Sequence, residues 1–153
     1  MQYHPITEAG VAAFAAEIEA LKAERPTRIR RLAEAAALGD RSENAEYSAA
    51  KRDLRQLEGR MRYLDKLIRY GEVVSPPSGE TVEIGTKITL QFAPDDTADY
   101  AVVGPKEAGL AAMNLASDSP LGVALLHHRR GEVVTVTAPA GQYQVTIVAI
   151  AVA

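Results

Sequence analysis

The chain is patterned in two ways. Up to Ile68 its apolar residues recur at spacings of three and four, the period of an α-helix; beyond Thr86 they follow the short runs and alternations of strands. Val11, Phe14, Ile18 and Leu21 form the first helical run. Thr7 stands ahead of it as an N-cap, because its hydroxyl can accept a backbone N–H that the first turn leaves free. Pro26 interrupts the run by removing one helix hydrogen bond. Ile29, Leu32 and Ala36 resume it in a shifted register, and Leu38-Gly39 stops it, glycine being suited to the left-handed conformation after a helix end. The next run is stricter: Tyr47, Ala50, Leu54, Leu57, Met61, Leu64 and Ile68 alternate spacings of three and four, a coiled-coil seam. Only a few residues join the two runs, so the helices pack antiparallel. About 27 residues an arm makes a hairpin roughly 40 Å long.

The second half reads as strands. Thr86–Phe92, Tyr100–Val103, Glu132–Thr137 and Gln142–Val152 are rich in Val, Ile, Thr and Tyr and are bounded by Gly, Pro and Asp. Pro139-Ala140-Gly141 suits a hairpin turn. Ser119 to Leu126 suits a short helix, with Ser119 as N-cap and Pro120 at its first position. The expected architecture is α+β: an antiparallel helical hairpin, then a small antiparallel sheet carrying one short helix. The stretch Ser75-Pro76-Pro77-Ser78-Gly79 reads as a linker, dividing the chain into 1–74 and 80–153.

Composition sharpens this division. The 153 residues are 47% hydrophobic and 24% charged, with a net charge of -3. That balance argues against non-specific wrapping of DNA or RNA. There is no Cys, which excludes a disulfide framework, a thiolate metal site and a cysteine nucleophile. No apolar run approaches the roughly 20 residues of a membrane helix, and the N-terminus lacks the regions of a signal peptide, so a cytoplasmic protein is expected. Aromatic residues make up only 5%, as suits a thin helical structure with small seam residues. Residues 1–74 hold 13 Lys/Arg and 12 Asp/Glu, and residues 75–153 hold 4 and 8. A densely charged rod precedes a sparsely charged, acidic body.

The chemistry-bearing residues cluster where the hairpin turns. Leu38-Gly39-Asp40-Arg41-Ser42-Glu43-Asn44-Ala45-Glu46-Tyr47 places three carboxylates within seven residues. Asp40 and Glu43 have capping-box spacing, and acids are favoured at a helix N-terminus. They are also hard oxygen donors of the kind Mg²⁺ prefers. Two carboxylates alone make no tight site, but they can complete one that a partner supplies.

The tip sequence resembles that of the Gre transcript-cleavage factors of bacterial RNA polymerase, and the likeness runs through the chain. Glu24-Arg25-Pro26 matches the proline of the family's first helix. Ser117-Asp118-Ser119-Pro120, Ala124-Leu125-Leu126, Gly131-Glu132 and Ala138-Pro139-Ala140-Gly141 match its second domain. Arg41-Ser42, Lys51-Arg52-Asp53-Leu54-Arg55 and Arg60-Met61-Arg62-Tyr63-Leu64 make the tip region resemble GreB more than GreA. The resemblance implies a coiled-coil domain and an FKBP-like C-terminal domain that docks on RNA polymerase through Asp118, Ser119 and Pro120. The hairpin would enter the secondary channel. Asp40 and Glu43 would help hold an Mg²⁺ of the polymerase active centre, promoting cleavage of the 3′ end of backtracked nascent RNA. The chain would then be an accessory factor, monomeric when free, and not an enzyme alone.

Lys51, Arg52 and Arg55 would contact the extruded RNA, within a basic set that includes Arg28, Arg30, Arg31, Arg60, Arg62, Lys66 and Arg69. The same residues also read as a solvated coiled-coil flank, with Asp53, Glu58 and Asp65 interrupting the set. Glu46 reads as a first-turn helix residue, and Tyr47 and Tyr63 as seam or flank packing. His127 and His128 stand where the family has glycine and basic residues. Three other readings compete: a Gre-like paralogue that fills the channel without promoting cleavage, a prolyl isomerase built on the second domain, and a coiled-coil dimerisation module.

Overall fold

The computed structural model describes residues 2–39, 44–76 and 78–153, which fall into two compact units. The first, Ala12–Arg69, is a helical hairpin. Its arms are α1, Glu8–Ala36, whose first turn lies in the second unit, and α2, Ala45–Arg69. Along α2 the expected seam turns inward: Leu57 and Leu64 are buried, while Leu54, Met61 and Ile68 are half-buried beside a buried Leu67.

α1 departs from expectation at its middle. The helix continues through Pro26 with no change of register. Phe14, Ile18, Leu21, Arg28, Leu32 and Ala35 form its inward stripe, and Ile29 is 40% exposed. Pro26 is tolerated because it sits on the exposed face. So does Lys22, whose carbonyl loses its helix partner where water can replace it. The seam departs from the apolar pattern because one of its positions, 28, is occupied by arginine. Gly39, after the helix end, has φ +134°, a conformation that favours glycine.

The second unit comprises Gln2–Val11 and Tyr70–Ala153. Two three-residue strands, β1 (His4–Ile6) and β2 (Gly71–Val73), pair in parallel. Strands β3 (Thr86–Ala93), β4 (Asp96–Val103), β5 (Asn114–Ala116), β6 (Val133–Ala138) and β7 (Gly141–Val152) form a sheet in the order β5-β4-β3-β7-β6. The sheet is antiparallel except for β4 and β5, which pair in parallel. A chain excursion through a 3₁₀ turn at Ala108–Leu110 brings β5 back in the direction of β4. Alternate residues face one side: Ile88 and Leu90, Val134 and Val136, and Val145 and Ile147 are buried together with Val82, Val102 and Leu115. Helix α3 (Pro120–Leu125) adds Leu125 to this core.

One buried carboxylate ties the start of α1 into this unit. Glu107 is 1% exposed and accepts hydrogen bonds from the Thr7 hydroxyl, from Thr7 N at 3.0 Å and from Gly104 N at 2.8 Å. Thr7 in turn accepts from Gly10 N at 3.0 Å, the cap expected from sequence. The approach leaves no room for side chains: a Cβ on Gly10 would lie 2.0 Å from Glu107 Oε1, and one on Gly104 would lie 2.0 Å from the Pro5 carbonyl.

Candidate functional site

Asp40 and Glu43, the proposed metal-binding acids, lie outside the described residues together with Arg41 and Ser42. Asn44 spans the hairpin at its turn. Its amide donates to the Ala35 carbonyl at 2.6 Å, which also accepts from Leu38 N at 3.2 Å, while its Oδ1 accepts from Tyr47 N at 3.0 Å and caps α2. One side chain therefore closes both helix ends. Its signal was present in the sequence, an Asn directly before a helical run, but the neighbouring acids drew the capping assignment. Glu46 takes its place in the first turn of α2, as expected.

The charged residues sort onto different sides of the hairpin. Among the described residues, three ion pairs cross from α1 to α2. Arg60 meets Glu17 through two hydrogen bonds of 2.7 and 3.0 Å. Arg25 meets Glu58 at 2.7 Å, and Arg28 meets Asp53 at 3.1 Å. The hydrogen bonds from Arg60 hold the Glu17 carboxyl below the ordinary carboxylate range, against a smaller effect of burial, and Glu17 raises the Arg60 guanidinium in return. Asp53 and Glu58 are thus engaged on the flanks of the seam and do not interrupt the basic surface. Asp65 pairs with Arg69 at 2.5 Å.

What remains on the outer side of α2 is a row of cations. Arg52, Arg55, Arg62 and Lys66 are exposed, and none has an ion-pair partner among the described residues. Their alternating spacings of three, seven and four keep them on one face. Lys51 lies beside them, its ammonium 5.9 Å from the Tyr47 ring. Lys51, Arg52 and Arg55 line one shallow depression with Ser48 and Gln56. The structure brings these three together, on a face that can offer N–H donors and positive charge to phosphate.

In the second unit, Asp118 and Pro120 are exposed at the start of α3. The Ser119 hydroxyl accepts from Gly122 N at 3.1 Å and donates to the Ala116 carbonyl at 2.7 Å, so it caps the helix as expected. At the other end, His127 adopts φ +72°, a left-handed conformation that L side chains rarely adopt. Its Nδ1 lies 2.9 Å from Glu83 Oε2, and His128 Nδ1 lies 3.3 Å from Glu132 Oε2. A hydrogen bond from the Arg129 backbone N–H, with a smaller contribution from His128, keeps the Glu132 carboxyl low. Among the described residues no three His, Cys, Asp or Glu side chains are grouped to hold a metal. No described helix is long and apolar enough to cross a membrane.

A helical hairpin with a cationic outer face, followed by a mixed β-sheet unit with one capped helix, defines a two-part protein. Comparison with known proteins names the class. Residues 4–73 match the family model "Transcription elongation factor, N-terminal" and residues 76–152 match "Transcription elongation factor, GreA/GreB, C-term". The chain belongs to the GreA/GreB family of transcription elongation factors. It is 50% identical to transcription elongation factor GreA 1 of Lactiplantibacillus plantarum over 149 residues, covering 97% of this chain and 96% of that protein. It is 38% identical to GreA of Acidiphilium cryptum, covering 98% of both chains. A solved structure of the transcription factor Gfh1 is 26% identical, with 98% of this chain and 99% of that one covered and a TM-score of 0.47.

Proposed function

We propose that this protein binds RNA polymerase and stimulates cleavage of the 3′ end of backtracked nascent RNA. In this reading the hairpin enters the secondary channel, and the second unit docks through Asp118, Ser119 and Pro120. Asp40 and Glu43 lend carboxylate oxygens to an Mg²⁺ of the polymerase active centre. The donor chemistry fits such an ion, since both are hard anionic ligands; two donors leave the remaining coordination to the partner. An Mg²⁺ held there would supply charge stabilisation for phosphodiester hydrolysis. The protein's own part is to carry the acids to that place and hold them there. It is an accessory factor.

The observation that carries this reading is the closure of the hairpin by Asn44. That side chain ties the ends of both helices at the base of the Gly39-Asp40-Arg41-Ser42-Glu43 turn. In sequence the two acids fall between these tied helix ends. The basic face of α2 supports an accompanying contact to RNA.

The test is a backtracked elongation complex with labelled RNA. Wild-type protein should shorten the RNA, and Asp40→Ala or Glu43→Ala should return shortening to the level of polymerase alone while polymerase binding persists. Full shortening by the double variant would remove these acids from the mechanism. Binding without shortening by the wild type would assign the chain to a non-cleaving member of the family.

A further inference from the structure

Glu107 stands at the N-cap of the 3₁₀ turn Ala108–Leu110, yet its side chain makes no capping bond there. The carboxyl turns instead to the start of α1. Its Oε2 accepts from Thr7 N and Gly104 N, and its Oε1 accepts from the Thr7 hydroxyl. The side chain is buried, so water does not readily replace a lost partner. Its backbone is held as well. The Glu107 carbonyl accepts from Asn114 Nδ2 and from Leu110 N, each at 3.0 Å. Asn114 opens strand β5, which closes at Ala116. The Ala116 carbonyl accepts from Ser119 N at 3.1 Å and from the Ser119 hydroxyl at 2.7 Å. A Cβ on Gly122 would lie 2.2 Å from that same carbonyl, so α3 sits directly against β5. One short strand therefore carries, at one end, the side chain that steadies Glu107 and, at the other, the carbonyl that steadies Ser119. Thr7, Glu107, Asn114 and Ser119 all belong to the second unit, and past Val11 helix α1 continues into the first.

A carboxyl that ignores its own turn and gathers three donors from elsewhere serves the place where those donors are. Here that place is the first turn of α1. A rod that carries reactive groups works only if its root does not give, because a displacement of about 1 Å at the reacting atoms can cost about a hundredfold in rate. We propose that Glu107 is a positioning residue for RNA cleavage. By fixing Thr7 to the loop that β5 steadies, it makes the first turn of α1 rigid with the segment Asp118-Ser119-Pro120. It touches no substrate and acts through Thr7. Its consequence for cleavage rests on the function proposed above, whereas the stiffness of the joint rests on these contacts alone.

The test has two readouts on the full-length protein. The chain has no cysteine, so Ser48→Cys and Val148→Cys place one spin label on α2 and one on β7. Double electron–electron resonance should give a narrow distance distribution in this background. Glu107→Gln keeps the size of the side chain but offers one acceptor oxygen to three donors, and it should broaden the distribution. Thr7→Val should broaden it too, whereas Thr7→Ser, which keeps the hydroxyl, should leave it narrow. The double variant Thr7→Val with Glu107→Gln should be no broader than the broader single, because both remove one interaction. Should Glu107→Gln fail to fold by circular dichroism, the two Thr7 variants carry the comparison. In a backtracked complex saturated with factor, Glu107→Gln and Thr7→Val should cut at least about tenfold more slowly than wild type. Their half-saturating concentrations should stay within about twofold of wild type. A loss of folded protein alone would raise that concentration and leave the saturated rate unchanged. The proposal is overturned if the variants keep the wild-type distance distribution. It is also overturned if the distribution broadens while the saturated rate holds, or if only the half-saturating concentration moves. A wild type that binds polymerase without shortening RNA would remove the cleavage reading, and the distance distributions would then decide by themselves whether Glu107 makes the joint rigid.

Discussion

In the β unit, ten aliphatic side chains from strands, helix α3 and one loop bury one another in a single cluster. In the hairpin, the buried apolar residues among those described are Phe14, Ala35, Leu57, Leu64 and Leu67, spread along the rod. Three cross-helix ion pairs run along its flanks. The contrast follows from thickness. A sheet backed by a helix can surround a side chain, whereas two helices cover only one stripe of each other. Apolar burial yields about 25 cal/mol for each Å² removed from water, and an exposed ion pair rarely exceeds about 1 kcal/mol. The β unit is thus built to be stable. The rod is built to keep most of its side chains in solvent, where α2 can present its cations.

The largest expected effect probes the β core. Leu90 is fully buried, and Leu90→Ala should lower unfolding stability by about 2–5 kcal/mol. Leu54→Ala, at a half-buried seam position, should lose clearly less in the same denaturant titration by circular dichroism. Equal losses would break the comparison. A smaller effect is expected at the turn. Asn44→Ala removes a cap and a cross-hairpin bond and should destabilise the helix ends by about 1 kcal/mol. Hydrogen exchange at residues 45–50 should quicken while that of β3 and β7 stays unchanged; unchanged exchange at 45–50 would show that the hairpin closes without Asn44.

The smallest effect concerns Glu17. Its carboxyl is held below the ordinary value near 4.5, chiefly by hydrogen bonds from Arg60. A group lowered on folding contributes stability that is present above its unfolded value and lost as pH falls through its folded value. Because the pair is partly exposed, the contribution is at most about 1 kcal/mol. Glu17→Gln should therefore melt slightly earlier than wild type at neutral pH and low salt. The difference should vanish in acid below the folded value and shrink in high salt. A difference that persists in acid would mean that the pair does not act through charge.

Much of this division is legible in the chain. The seam of α2 shows because its apolar positions are uninterrupted, and the four longer strands show because β-branched residues cluster between turn formers. Thr7 and Ser119 were readable as caps because a hydroxyl before a helical run has one obvious use. The strands β1, β2 and β5 were not readable, since three residues carry no period. The register of α1 was misread because Arg28 occupies a seam position and meets Asp53, a partner 25 residues away. The basic face of α2 looked broken by acids in one dimension. In three, Asp53 and Glu58 turn to the flanks.

Local pattern alone determined where the two long helices, the short helix and the longer strands form, because capping and apolar period act over a few residues. Only the tertiary structure decided which charges are spent on each other and which remain for a ligand. It also decided that Glu107 holds Thr7 across 100 positions of sequence and that Tyr63 is 40% exposed outside the seam. Those outcomes depend on which side chains meet across the fold, and no spacing along one strand of sequence encodes that distance.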